Sequence, residues 1–359
     1  MTEPAAWRHR APLPRLSAGL LSFFLAVLCT PACDSGSGIS DTQTDAPPSR
    51  SIGFWPTRED LDLDACFDLL RQGADVAMFQ VRLFQTPPSL VRFWDAWFER
   101  ARAAGMKTYI ALETFGENTP LTPEPWTGPQ PDCADPEWRA AFEAEAVRLA
   151  QKYRPDYFCI SVEANVYYAA HPEDYDAFRE SFQTTRNAVR AVSPKTAVFA
   201  TYQYEVLLGR LGTGTAQPEI LDGVKSLEQD LLGISTYPLY QDSAYDPDLL
   251  PDDYYAPLQT LSSLPLFFGE IGWYSGSDVT PPSSADAQAR FVRRLPTLLA
   301  GLHLEAYCWI NLVDIARHSG TESVFLQMPQ FTSLALFDAQ LQAKPAWQDW
   351  VSIAPRSRD

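Results

Sequence analysis

The sequence predicts one α/β domain folded as a closed (β/α)8 TIM barrel. Two observations carry this. Eight short apolar runs lack the polar alternation of a half-exposed sheet, so they read as parallel strands buried on both faces, and amphipathic stretches of helical period separate them. They also fill about 300 residues with no second linker, a size that α/β barrels reach as a single unit. An open doubly wound sheet is the runner-up. Against it, the turn after the first strand has no glycine-rich phosphate loop, and nothing resembles GxGxxG or the Walker pattern.

The strands, in order, are SIGFWP from Ser51, ADVAMFQVRL from Ala74, KTYIALETF from Lys107, DYFCISVEAN from Asp156, TAVFATYQY from Thr196, DLLGISTYPLY from Asp230, LPLFFGEIGW from Leu264 and LEAYCWINL from Leu304. Helices are expected over 61–72, 89–104, 136–153, 175–192, 220–227, 254–262 and 285–300. Several meet a conformational stop: Gly73, Gly105, Pro155, Pro194 and Gly301.

The first 50 residues read differently. Arg8, Arg10 and Arg15 precede an apolar run from Leu16 to Cys29. At about 14 residues it is too short for the roughly 20 that span a bilayer, and it has the layout of a signal peptide. Thr30-Pro31-Ala32-Cys33 resembles a bacterial lipobox, so residues 1–32 are expected to be removed and Cys33 to become a lipidated mature N-terminus. The alternative is an ordinary cleaved leader; in both cases the protein is exported. Residues 33–50, rich in Ser, Gly, Asp and Pro, have little to bury and read as a disordered tether to a domain over 51–359.

The chain carries 28 basic and 45 acidic residues, a net charge of -17. Such a surface is a poor partner for nucleic acid or anionic membrane, so the expected membrane contact is the lipid alone and the expected state a monomer. Aromatic content of 13%, with ten tryptophans, suits stacking on sugar rings, although large cores use aromatics too. Of the cysteines past Cys33, Cys159 and Cys308 lie in strands as core residues, and a Cys66–Cys133 disulfide is open.

In a barrel, chemistry sits where strands end at the C-terminal face. The fourth strand ends in Ser161-Val162-Glu163-Ala164-Asn165 and the seventh in Gly269-Glu270-Ile271-Gly272-Trp273. A carboxylate closing an apolar run is costly without a partner or a purpose. Each glutamate alone could be a structural ion-pair partner, for example of Arg82; two on opposite sides of one mouth point to function. Glycoside hydrolysis needs such a pair, one group protonated to assist the leaving oxygen and one ionised across the anomeric carbon. A gap of roughly 5 to 5.5 Å gives retention, and a wider one leaves room for water and inversion.

With these residues in place the chain resembles the clan of retaining (β/α)8 glycoside hydrolases, which holds endo-galactanases, mannanases, cellulases and β-glycosidases. The resemblance implies Glu163 as acid/base and Glu270, in FFGEIGW, as nucleophile. It extends to Arg82 ending the second strand, Tyr237 in STYPLY, Trp309 in the eighth strand, and the closing SLALFDAQLQAKPAWQDW. It implies that Arg82 and Tyr237 keep Glu270 ionised and oriented, and that Trp309 floors the sugar site; the alternative for Trp309 is a core residue sealing the barrel end. Glu113 and Gln203, ending the third and fifth strands, are expected to bind hydroxyls. Loops over 114–133, with Trp126, and 240–255 are expected to wall the groove. One residue departs: the clan's asparagine before the acid/base is Val162 here. Asn165, on the same face if the strand continues, is expected to replace its contact with the sugar 2-hydroxyl. The departure also leaves open a barrel that binds glycans without cleaving them.

Other barrel chemistries lack their residues. Past residue 32 only His171, His303 and His318 remain, none in an HxH or HExxH pattern, so no metal is expected. No lysine ends a strand as a Schiff base requires, and Ser161 and Ser235 lack the GxSxG elbow. No cofactor is implied; the expected partner is a carbohydrate.

Overall fold

The computed structural model describes residues 47–54, 61–84, 88–116, 119–122, 128–210, 216, 220, 227–238, 246–277, 282–315 and 329–353. The chain divides into Met1–Asp45 and Ala46–Asp359, and the fold below belongs to the second unit. The leader, Cys33, the tether as far as residue 46, Trp126, His318 and most of the helix expected over 220–227 lie outside the described residues.

Eight parallel strands close into a barrel: β1 (Ser49–Gly53), β2 (Val76–Arg82), β3 (Lys107–Glu113), β4 (Tyr157–Ser161), β5 (Ala197–Gln203), β6 (Leu232–Thr236), β7 (Leu266–Ile271) and β8 (Leu304–Trp309). Each pairs with the next, and β8 pairs with β1 through Ser49↔Ala306 to Ile52↔Trp309. That last pairing rules out the open sheet. The helices among the described residues are α1 (Leu63–Gly73), α2 (Pro88–Ala103), α3 (Pro136–Tyr153), α4 (Ala164–Ala170), α5 (Tyr175–Val192), α6 (Tyr204–Leu207), α7 (Leu258–Leu261), α8 (Ala285–Leu298) and α9 (Pro345–Ser352).

Alternation within each strand sorts side chains into two cores. Inward positions, among them Met78, Tyr109, Tyr157, Phe199, Phe267 and Cys308, fill the barrel. The Phe267 ring centroid lies 4.9 Å from those of Tyr109, Tyr157 and Phe199, so four rings plug the lumen. Outward positions such as Phe79, Ile110, Phe158, Val198, Phe268 and Trp309 pack in the larger core shared with the helices. The plug needs empty space beside it: a Cβ on Gly233 would sit 2.4 Å from the Ala200 carbonyl oxygen and 2.7 Å from the Phe199 ring.

Caps fix the helix starts. Asp62, Asp135 and Ser284 accept from free backbone N–H groups at the start of α1, α3 and α8, with Pro136 opening α3. Gly105 and Gly301 follow α2 and α8 with φ of 69° and 73°. Several boundaries differ from the sequence reading: the fourth strand stops at Ser161 and the sixth spans Leu232–Thr236. Ser49 and Arg50, assigned to the tether, belong to β1, and Arg50 is buried because its Nη1 donates to the carbonyls of Trp350 and Ile353 at 3.2 and 2.9 Å. The helix expected over 254–262 is reduced to α7, because Tyr254 and Tyr255 turn inward instead. Cys66 and Cys133 are separate buried free thiols, so the open disulfide is not formed.

Gly233→Ala is expected to lower the unfolding free energy by at least about 2 kcal/mol, because the new methyl meets backbone on one side and the ring plug on the other. Urea denaturation followed by tryptophan fluorescence reads this directly.

Candidate active site

Glu163 lies one residue past Val162 at the end of β4, with φ 51° and ψ 46°. A left-handed backbone costs a non-glycine residue roughly 1–2 kcal/mol, and it persists only where surroundings impose it. Here the Glu163 N–H donates to Thr201 Oγ1 at 2.9 Å, and α4 begins at the next residue. The chain therefore leaves the strand direction at Glu163, which fixes the carboxyl at the mouth.

Glu270 reaches the same mouth by another device. In β7, Phe268 pairs with Tyr307 and Ile271 with Trp309, so Gly269 and Glu270 together oppose Cys308 alone. On the other side Ile234 pairs with Phe268 and Ser235 with Glu270. This bulge breaks the alternation that would send Glu270 outward with Phe268, and turns it inward. Gly269 is required there, since a Cβ would lie 2.8 Å from both Thr201 Cγ2 and Tyr109 Oη.

The two carboxyls have unequal proton affinities. Glu163, half-buried, is pushed well above the ordinary carboxyl range, first by loss of water and then by the charges of Glu270, Glu205 and Glu113; Ser235 opposes the rise. Glu270, 5% exposed, is pushed up to about 7 by burial, with Glu113 adding to the shift and Tyr237 opposing it. Tyr237 Oη donates to Glu270 Oε2 at 2.7 Å. A hydrogen bond to the ionised form favours that form, so of this coupled pair Glu163 holds the proton and Glu270 gives it up first. Gly272 makes room for the tyrosine: a Cβ there would stand 2.7 Å from Tyr237 Cε1.

The remaining sequence candidates fall into two groups. Arg82 and Glu113, cross-strand partners in β2 and β3, lie at the mouth and pair through Nε–Oε2 at 3.0 Å, while Gln80 Nε2 donates to Glu113 at 2.9 Å. Arg82 thus compensates Glu113, where Glu270 was the expected partner.

Three others are turned to structural work. Asn165 is fully buried, because α4 starts before it; its Nδ2 donates to the Gln203 carbonyl at 3.0 Å and its Oδ1 accepts from the Gln203 N–H at 2.7 Å. It clasps β5 and does not replace the missing asparagine at position 162. Gln203 caps α6, its Oε1 accepting from Val206 N–H at 2.7 Å and its Nε2 donating to Glu205 Oε2 at 2.7 Å. Trp309 faces outward toward Phe291 and Trp350, with Nε1 donating to the Leu334 carbonyl at 2.9 Å, and is no floor to the mouth. Among the described residues no group of three His, Cys, Asp or Glu could hold a metal ion.

Sequence reasoning passed over Glu205. It is fully buried in α6, and its carboxylate accepts from Thr236 Oγ1 (2.7 Å), Tyr254 Oη (3.0 Å), Tyr237 N–H (3.0 Å) and Gln203 Nε2 (2.7 Å). A signal was present: a glutamate two residues past a strand end, inside the apolar run YEVLL.

No protein-family model and no curated protein matches the chain. Solved structures share its fold. A GH5_18 protein from Streptomyces cattleya, solved in complex with Manβ1-4GlcNAc, superposes with a TM-score of 0.61 at 14% identity, covering 86% of this chain and 82% of that one. The exo-β-1,4-mannosidase Op5Man5 from Opitutaceae bacterium strain TAV5 gives 0.66 at 16% identity, over 85% of this chain and 58% of that one. Xylanase 10B from Thermotoga maritima gives 0.58 at 12% identity, over 84% and 93%. At such identities the likeness is one of fold: this chain has the barrel of these glycoside hydrolases.

Two outcomes are expected. Tyr237→Phe removes the hydrogen bond that lowers the affinity of Glu270 for its proton, so Glu270 should titrate above about 7, as read by 13C NMR of labelled glutamate carboxyls. Asn165→Ala leaves the buried Gln203 backbone groups without their partners and should destabilise the fold by about 2 kcal/mol in urea.

Proposed function

We propose that the chain is a retaining glycoside hydrolase acting on a β-linked oligosaccharide or polysaccharide. One observation carries the reading: two glutamates brought to one barrel mouth by separate backbone devices, with the proton on Glu163 and the stabilising hydroxyl on Glu270. Glu270 attacks the anomeric carbon while Glu163 protonates the leaving oxygen. Glu163, now ionised, takes a proton from the water that releases the sugar from Glu270 and returns the pair to its starting state. Tyr237 orients the nucleophile. The mannosidase and mannoside complexes among its structural neighbours favour a β-mannoside as the first substrate class to test. We further propose that the barrel works outside the cytoplasm, anchored through Cys33.

A 2-deoxy-2-fluoro-β-mannosyl fluoride should label Glu270, detected by peptide mass spectrometry. Glu163→Gln should slow cleavage of β-1,4-mannotriose by about 10²- to 10⁴-fold, the usual contribution of a positioned general acid. Activity should rise with pH as Glu270 ionises near 7 and fall again as Glu163 loses its proton. Labelling or turnover that is absent on β-mannosides, β-xylosides and β-glucosides alike, with glycan binding retained, would instead support a non-cleaving carbohydrate-binding barrel. That second reading is favoured by Val162 and by the commitment of Asn165 to backbone.

A further inference from the structure

Beside the mouth glutamates Glu163, Glu270 and Glu113 lies a fourth carboxylate that the double-displacement scheme does not use. Glu205 is fully buried, and it meets four donors at 2.7 to 3.0 Å: two hydroxyls on Oε1, from Thr236 and Tyr254, and two N–H groups on Oε2, from Tyr237 and Gln203. Each donor is itself fixed. Gln203 cannot flip its amide, because Oε1 already accepts from Val206 N–H, and the Asn165 amide clasps the Gln203 backbone. Thr236 Oγ1 lies 3.1 Å from Tyr255 Oη, which supplies the hydrogen that Thr236 accepts after giving its own to Glu205.

We propose that Glu205 is a positioning residue for the mouth, holding Tyr237 against Glu270 through the Tyr237 N–H and acting on Glu163 through the charge of its carboxylate. The proposal rests on the hydrolase reading given above. Its geometry is a two-bond chain: Glu205 Oε2 accepts from the Tyr237 N–H, and the hydroxyl of that residue donates to Glu270 Oε2. Pro238 follows Tyr237 and narrows its backbone to extended conformations, so the hydrogen bond to Glu205 selects among few alternatives.

Four donors and no acceptor favour an ionised Glu205 despite its burial. Burial pushes its carboxyl up, and the Thr236, Tyr237 and Tyr254 donors pull it back. Tyr204 and Tyr255 also face it, with Arg210 beyond, over the Tyr254 ring. The charge of Glu205 raises the proton affinity of Glu163, alongside Glu270 from β7 and Glu113 from β3, while Ser235 from β6 opposes them. A removed negative charge makes a neighbouring carboxyl give up its proton at lower pH.

The test compares wild type, Glu205→Gln and Tyr254→Phe as full chains. Hydrolysis of 4-nitrophenyl β-D-mannopyranoside is followed across pH, and the carboxyl carbon of Glu163, assigned through Glu163→Gln, is titrated by 13C NMR without substrate. In Glu205→Gln, kcat should fall by about tenfold with KM nearly constant, and both the alkaline limb and the Glu163 titration should move down by about one pH unit. A fall in kcat with neither titration moved would show a merely structural glutamate and overturn the proposal. Should Glu205→Gln not fold, Tyr254→Phe decides: with one donor fewer, Glu205 takes up a proton more readily, and the Glu163 titration should move down by a smaller amount; an unmoved titration overturns the proposal here too. Absence of hydrolysis by wild type on the aryl β-mannoside and on the corresponding β-xyloside and β-glucoside would sink the hydrolase reading while leaving the NMR titration to judge Glu205.

Discussion

An ionised carboxylate taken out of water costs several kcal/mol unless donors or counter-charges replace its solvent, and the mouth of this barrel gathers four carboxyl groups that are wholly or partly withdrawn from it. Each is compensated in its own way. Glu113 has Arg82 and Gln80; Glu205 has four donors; Glu270 has the Tyr237 hydroxyl; Glu163 keeps its proton. The solutions are linked, since every uncompensated charge raises the proton affinity of its neighbours. A barrel with the same strands and a different arrangement of these donors would hold its protons elsewhere.

The frame that carries the mouth is apolar and tightly filled. Ring plug, outward core and helix caps leave little freedom below the strand ends, which is what allows single hydrogen bonds to set side-chain direction above them. The closing segment adds a tie across the top. Lys344 forms an ion pair of 2.6 Å with Asp314 and donates to Ser275 Oγ at 3.0 Å, joining the chain after β8 to the chain after β7. The pair is largely buried, and Asp314 also accepts from Ala335 N–H at 3.0 Å, so the LFDAQLQAKPAW run is held by specific polar contacts as well as by the burial of Trp347 and Trp350.

The barrel was legible because parallel strands covered on both faces spell continuous apolar runs, and helix caps and stops are local. The strand-end places of Glu163 and Glu270 were legible because a carboxylate closing an apolar run stands out, whereas Tyr237 was singled out only through the family resemblance. What was hidden depends on backbone direction. Nothing local announces that the chain turns left-handed at Glu163, and extending the strand through Asn165 placed that residue on the wrong surface. Trp309 follows from alternation once its register against β1 and β7 is known, and register is a property of pairs of strands. Gln203 at a strand end reads as a hydroxyl binder, and Glu205 carries no role, until Tyr254, some fifty positions later, is seen to reach the Glu205 carboxylate that Gln203 also holds.

Strand direction has a last consequence. β1 enters at Ser49 from the end of the barrel opposite the glutamates, and Arg50 binds the carbonyl of Ile353 there, so the points where the chain enters and leaves the barrel are neighbours. The described ends of the chain, residues 47 and 353, thus share the base of the barrel, and the mouth with Glu163 and Glu270 faces the other way, so a change at either end leaves the hydrogen bonds of the mouth untouched.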